Sequence, residues 1–187
     1  WDNIIELSLE INGSFKEFAG GNPGIHLSAG MAFVKHSYPV LNAVELAGAQ
    51  LKIAKNNNKN SVALWDHAVK WDDFRGLKPA FDMLAQSLNG SKGGKLSTGF
   101  VYNLLQFGRM QREYKDGDKS RIRWKPMLAY QLGRQNAGDK LEFEFCGKEN
   151  FAAWLKRILS EEGKAGLERD NLDIMAQYAL YKNRGNG

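Results

Sequence analysis

The densest chemical signal in the chain is cationic. Lys119, Arg121, Arg123 and Lys125 surround Trp124, and Arg109, Arg112 and Lys115 precede them closely. Basic side chains interleaved with an aromatic ring suit phosphate contact combined with base stacking. The opposing reading is a solvated loop with Trp124 turned inward, its field diluted by Asp116 and Asp118. Residues 1–94 carry nine Lys/Arg and nine Asp/Glu, whereas residues 95–187 carry seventeen against twelve. The formal net charge of +5 therefore belongs to the second half, where it favours an RNA, DNA or acidic protein partner.

Other reactive residues are sparse. Adjacent Asp72 and Asp73 invite a metal reading, but neighbours one apart on a helix do not face each other. A helix N-terminus favours negative charge, so both are assigned to capping. His26 has no carboxylate placed beside it and reads as a structural or surface histidine. With one cysteine, three histidines and neither CxxC nor HExxH, no structural zinc is expected. Cys146 reads as a buried, inert thiol in a reducing, intracellular setting. No apolar run approaches about 18 residues, so no membrane span is expected. A chain of 187 residues buries roughly 70% of its unfolded surface, enough to fold without disulfides. It opens at Trp1 with no charged-then-apolar leader, and is expected to be a piece of something longer.

Several elements must position these residues. After Asp2 as N-cap, Ile4, Leu7, Ile11, Phe15 and Phe18 fall at helical spacing and predict an apolar stripe ending at Gly20-Gly21-Asn22-Pro23. Residues 24–35 then alternate, with Ile25, Leu27, Ala29, Met31 and Phe33 on one face and His26, Ser28, Gly30 and Ala32 on the other. The bulky face is expected to meet helices and the second to stay open, with room over Ser28 and Gly30. Ser37-Tyr38-Pro39 starts a second helix whose buried seam is expected at Val40, Val44, Ala47, Leu51 and Ala54, its small residues implying close packing. An asparagine-rich turn follows Lys55, and Ser61–Trp65 reads as a short strand. From Trp71 the periodicity is helical, near 71–88, 97–114, 124–135, 148–161 and 167–183, with linkers at 89–95, 116–118 and 163–166. The fold class is α+β, with residues 1–70 mixed and residues 71–187 helical.

Two segments together carry a resemblance: Leu27-Ser28-Ala29-Gly30-Met31-Ala32, and the helix and turn from Ala47 through Lys55 to Lys59-Asn60. They resemble the closing elements of a GGDEF-like nucleotidyl cyclase or polymerase palm. More narrowly, Gly21-Asn22-Pro23, the Leu27–Gly30 strand and Val34-Lys35-His36-Ser37-Tyr38-Pro39-Val40 resemble the second palm domain of the large subunit of type III-A CRISPR effectors, the Csm complex. The segments Leu96–Leu105 and Trp124–Arg134 resemble the helical C-terminal domain of that subunit.

The resemblance implies a partial ferredoxin-like palm over residues 1–70, followed by an α-helical bundle. It implies a role in antiviral defence, within a parent that makes cyclic oligoadenylates from ATP when target RNA binds. That chemistry uses Mg2+ or Mn2+ on a Gly-Gly-Asp-Asp turn, and many members add an HD domain that cuts single-stranded DNA. Neither motif stands here: Gly20-Gly21 is followed by Asn22, and Asp66-His67 reverses the His-Asp order. The piece alone is therefore expected to be inactive and to hold no cofactor tightly. By the same resemblance Lys55 matches the lysine that reaches the triphosphate, although a lysine there also stabilises a helix C-terminus without a ligand. Ser28 would lie against the adenine or ribose, the alternative being a serine solvated on the sheet. Implied partners are the other Csm subunits, the small helical one included, with crRNA and target RNA, in the cytoplasm and not at a membrane. Arg112, Lys119, Arg121, Arg123 and Lys125 are the expected contacts. The rival reading is a basic helical RNA-binding or assembly module with no nucleotide site.

Overall fold

A computed structural model describes residues 3–89, 96–136, 144–145, 149–160 and 165–184. Expectations for Asp2, most of the 89–95 linker, Cys146 and Gly163-Lys164 fall outside the described residues. The chain forms two compact units, residues 1–76 and 77–187. No helix among the described residues is long and apolar enough to cross a membrane.

In the first unit, α1 (Ile4–Phe18) precedes β1 (Ala29–Met31), α2 (Val40–Asn56), β2 (Ser61–Leu64) and β3 (His67–Lys70). The sheet order is β1-β2-β3, with β1 parallel to β2 and β2 antiparallel to β3. The parallel pair is joined through α2, the βα-crossover that parallel strands require. Only three residues of the expected 24–35 strand form ladder bonds. The face predicted to stay open is closed: a Cβ on Gly30 would lie 2.3 Å from the Ala47 carbonyl oxygen and from the Leu51 nitrogen. The missing side chain is filled by the α2 backbone, so Gly30 gives no room to a ligand. Close packing of α2 on its small residues is thus observed, but at Ala47–Leu51 rather than along the whole predicted seam. Val40 is 78% exposed and Val44 also lies outside, whereas Gln50 and Ala54 are buried. The α1 prediction is corrected similarly, because Ile5, Leu9 and Asn12 are buried while Leu7, Ile11 and Phe18 are exposed. That helix is apolar around most of its circumference, and periodicity alone does not choose which face packs.

The strand β3 was absent from the sequence reading. It follows β2 through Trp65 and Asp66, whose φ values of 51° and 61° make the two-residue turn that matches strand twist. Neither residue is glycine, so the turn is held from outside. Gln50 on α2 donates to Asp66 Oδ1 at 2.7 Å and accepts from the Asp66 backbone N–H at 2.9 Å. Trp65 also stacks on Phe33, with ring centroids 4.4 Å apart. Gln50→Ala should cost the first unit about 1–3 kcal/mol, because a buried amide pair is lost from a strained turn. Amide exchange in β2 and β3 reads the effect; unchanged protection there would mean that the turn does not depend on Gln50.

The helix α3 (Trp71–Asn89) contributes to both units. In the second unit, α4 (Thr98–Lys115), a 3-10 turn at Lys119–Arg123, α5 (Trp124–Asn136), the hairpin of β4 (Glu144–Phe145) and β5 (Glu149–Asn150), α6 (Phe151–Leu159), α7 (Ala165–Asp170) and α8 (Leu172–Asn183) follow. Ser97 caps α4 by accepting from Phe100 N, as a helix N-terminus needs. The helix predicted over 167–183 is broken at Asn171, and the hairpin occupies ground predicted as loop and helix. Phe81, Phe100, Leu104, Phe151, Trp154 and Tyr178 are buried. The α4 and α8 backbones meet closely enough that a Cβ on Gly108 would lie 2.3 Å from Asp173 N.

Candidate functional site

One candidate site lies where α2 ends. The helix runs against the direction of β1, with Gly30 opposite Ala47–Leu51. Ser28 stands two residues before Gly30, just outside β1, and the last turn of α2 carries Lys55. The turn that follows is unusual: Asn58, Lys59 and Asn60 all have positive φ, at 56°, 52° and 46°. Its carbonyls are gathered by Lys70, whose Nζ donates to Asn57 O, Asn58 O and Lys59 O at 2.7, 3.1 and 2.8 Å. The Ser61 hydroxyl donates to Lys59 O at 2.6 Å. Thus Lys70, which sequence reasoning missed because β3 was missed, supplies the positive charge at the end of α2. Lys55 is exposed; its carbonyl accepts from the Lys59 N–H at 3.2 Å, but its side chain makes no hydrogen bond or ion pair among the described residues. Ser28 is half-buried and His26 exposed. Asp72 lies in the first turn of α3 and pairs with Lys16 at 2.8 Å. Among the described residues no group of His, Cys, Asp or Glu converges as a metal site.

The basic cluster of the second unit is largely spoken for. Arg112 Nη1 lies 2.9 Å from Asp173 Oδ2, an ion pair not aligned as a hydrogen bond. Its acid is only 4% exposed. Lys115 pairs with Asp170, which also accepts from Gln111 at 2.7 Å. Arg121 pairs with Glu113 at 2.7 Å and Asp118 at 3.2 Å. Asp118 accepts from the Ser120 hydroxyl and backbone N–H, which hold its carboxyl below the ordinary value. Lys119 sits over the Tyr114 ring, 4.9 Å from its centroid, and Lys125 is half-buried. Trp124 is 6% exposed, so the proposed base-stacking ring is a core residue. It packs inward because it opens α5 in the register of buried Leu128. Of the five expected contacts, Arg123 alone is exposed and unpartnered among the described residues. The acids that neutralise Arg112 and Lys115 come from α8 and α7, distant in sequence, which no local charge count could anticipate.

Residues 1–63 match the model of the Cas10/Cmr2 second palm domain. The chain is 25% identical over 151 residues to the Cas10/Csm1 protein of Thermococcus onnurineus, covering 74% of this chain and 19% of that protein. Residues 1–63 belong to the Cas10/Cmr2 second palm domain family. A second Cas10/Csm1 relative, from Enterococcus italicus, is 28% identical over 146 residues, covering 75% of this chain and 18% of the relative. The Methanocaldococcus jannaschii protein is 33% identical over 84 residues, which is 38% of this chain and 10% of the relative. Each is named a CRISPR system single-strand-specific deoxyribonuclease of subtype III-A. The chain spans about a fifth of the length of these curated Cas10 relatives. No solved structure is significantly similar to it.

Proposed function

We propose that this chain is part of the large subunit of a type III-A CRISPR effector, in which its first unit forms one wall of an ATP pocket. The observation that carries this reading is the division of labour at the end of α2. Lys70 clamps the turn carbonyls, leaving the Lys55 side chain uncommitted as the cation that a triphosphate would need, and Ser28 is read as the hydroxyl for its adenosine. In this reading the unit is half of a ferredoxin-like palm, and the full protein converts ATP to cyclic oligoadenylates on binding target RNA. The required Mg2+ or Mn2+ does not fit this chain, whose described carboxylates do not converge; residues outside this sequence would hold it. The single-strand deoxyribonuclease activity of the relatives' names is proposed for the full protein on the same footing. The second unit is read as a scaffold for the other Csm subunits, the small helical one included, and for crRNA and target RNA through Lys119 and Lys125.

The test is Lys55→Ala in the full-length protein and complex. Oligoadenylate synthesis should fall about tenfold to a hundredfold, as for loss of one charge-stabilising group. Target RNA binding should stay within about twofold, because Lys70 rather than Lys55 holds the turn together. Equal loss of both would show that the substitution only damages the fold.

The second reading, an assembly module with no nucleotide site, is favoured by one observation. Residues 119–136 contain five Lys/Arg and no acid. Nucleic-acid binding that stays flat from low to high salt would reject an electrostatic role for that stretch.

A further inference from the structure

The exposed side of α5 carries a side-chain stripe that the sequence reading did not single out. Met127, Tyr130 and Arg134 follow one another on α5 at spacings of three and four, which confines them to about 60° of the helix circumference, and Arg123 ends the 3-10 turn immediately before α5, four residues ahead of Met127. All four are exposed, Met127 by 44% and Tyr130 by 66%. Neither guanidinium has a partner among the described residues, in contrast to Arg112 and Arg121. Lys125 and buried Trp124 and Leu128 lie on other sides of the helix. The stripe thus places a flat, wet aromatic ring between two uncommitted cations over about 16 Å, with no carboxylate on its own helix to compete.

We propose that this stripe is a docking surface for single-stranded DNA, with Arg123 and Arg134 on phosphates and Tyr130 stacked on a base. The partner must be anionic, because the stretch is wholly cationic in its charged residues. A protein helix would want a continuous apolar seam, whereas here arginines bound the apolar pair Met127 and Tyr130 at both ends. An exposed ring flanked by guanidiniums is the arrangement by which unpaired bases are held without sequence preference. Single-stranded DNA is chosen over RNA because the relatives are named for acting on it. The proposal rests on the reading of the chain as part of a Cas10 effector subunit, but not on its ATP pocket. A failed Lys55 test leaves it intact.

The experiment is fluorescence anisotropy of the 187-residue chain with a labelled oligodeoxythymidine of about fifteen nucleotides, from about 50 to 200 mM salt. Arg123→Gln/Arg134→Gln should weaken binding about tenfold and flatten the salt slope by about 1.4, the contribution of two phosphates on a single strand. Tyr130→Ala should weaken it about tenfold, and Tyr130→Phe, which keeps the ring, should restore it to within about twofold. Oligouridine of the same length should bind no tighter than the DNA. Unchanged binding in the double arginine variant, or failure of Tyr130→Phe to rescue, would overturn the assignment. So would RNA binding several-fold tighter than DNA, or a glutamate-rich peptide that outcompetes the oligonucleotide and thereby assigns the face to a protein.

Discussion

Arg112→Ala should destabilise the second unit by about 3 kcal/mol, the range expected when the cation of an ion pair with a buried carboxylate is removed. The stranded group is the Asp173 carboxylate, almost wholly buried in the first turn of α8. It lies where Gly108 lets the α4 backbone touch α8. Asp173 also has local support from the α8 N-terminus, which favours a negative charge but offsets only part of the loss. The double variant Arg112→Ala/Asp173→Ala should recover most of the stability, since it removes the uncompensated charge as well as the pair. Urea unfolding and amide exchange in α4 and α8 measure both effects. The same experiment decides what Arg112 does: a nucleic-acid contact would leave stability nearly unchanged and flatten the salt dependence of binding by about 0.7 instead.

Gly30→Ala is expected to be comparably severe in the first unit. The added methyl would meet two backbone atoms of α2 at 2.3 Å and a third, Gln50 C, at 2.9 Å. Backbone in the middle of a helix does not yield as the end of a flexible side chain does. The cost should be about 3 kcal/mol, at the upper end for overpacking, and Gly30→Val should be worse. Gly48→Ala is the control, since a Cβ there meets nothing within 4 Å. It should be neutral or stabilising by up to about 1 kcal/mol, the helix-propensity gain. A Gly30→Ala protein with wild-type exchange protection in β1 and α2 would show that the two elements do not pack as closely as described.

The helices were legible because their signal is local. The 3.6-residue recurrence of apolar positions fixes α4 and α5 to within a residue or two of their expected ends, with Ser97 as a cap oxygen at one start. The parallel β1–β2 pair across α2 was partly legible, as a strand, a helix and a strand in order. The candidate site was half legible. Lys55 and its asparagine turn stand out in sequence, but the residue that frees Lys55 from a structural duty is Lys70. It sits on a strand whose turn is held by Gln50, sixteen residues from Asp66, and by the Trp65–Phe33 stack.

What the sequence by itself determined is therefore composition-level and periodic: an α+β chain, a neutral first part and a cationic second part, and the residue types available for phosphate chemistry. Tertiary structure alone decided which of those residues are available. Arg112, Lys115 and Arg121 lose their charge to acids on α8, α7, α4 and the adjoining turn, and Trp124 loses its ring to the core. Gly30 loses its apparent vacancy to α2. In each case the deciding partner is remote in sequence or lies on another element. Burial and electrostatic pairing depend on distance in space, which hydrophobic period and local charge density do not encode.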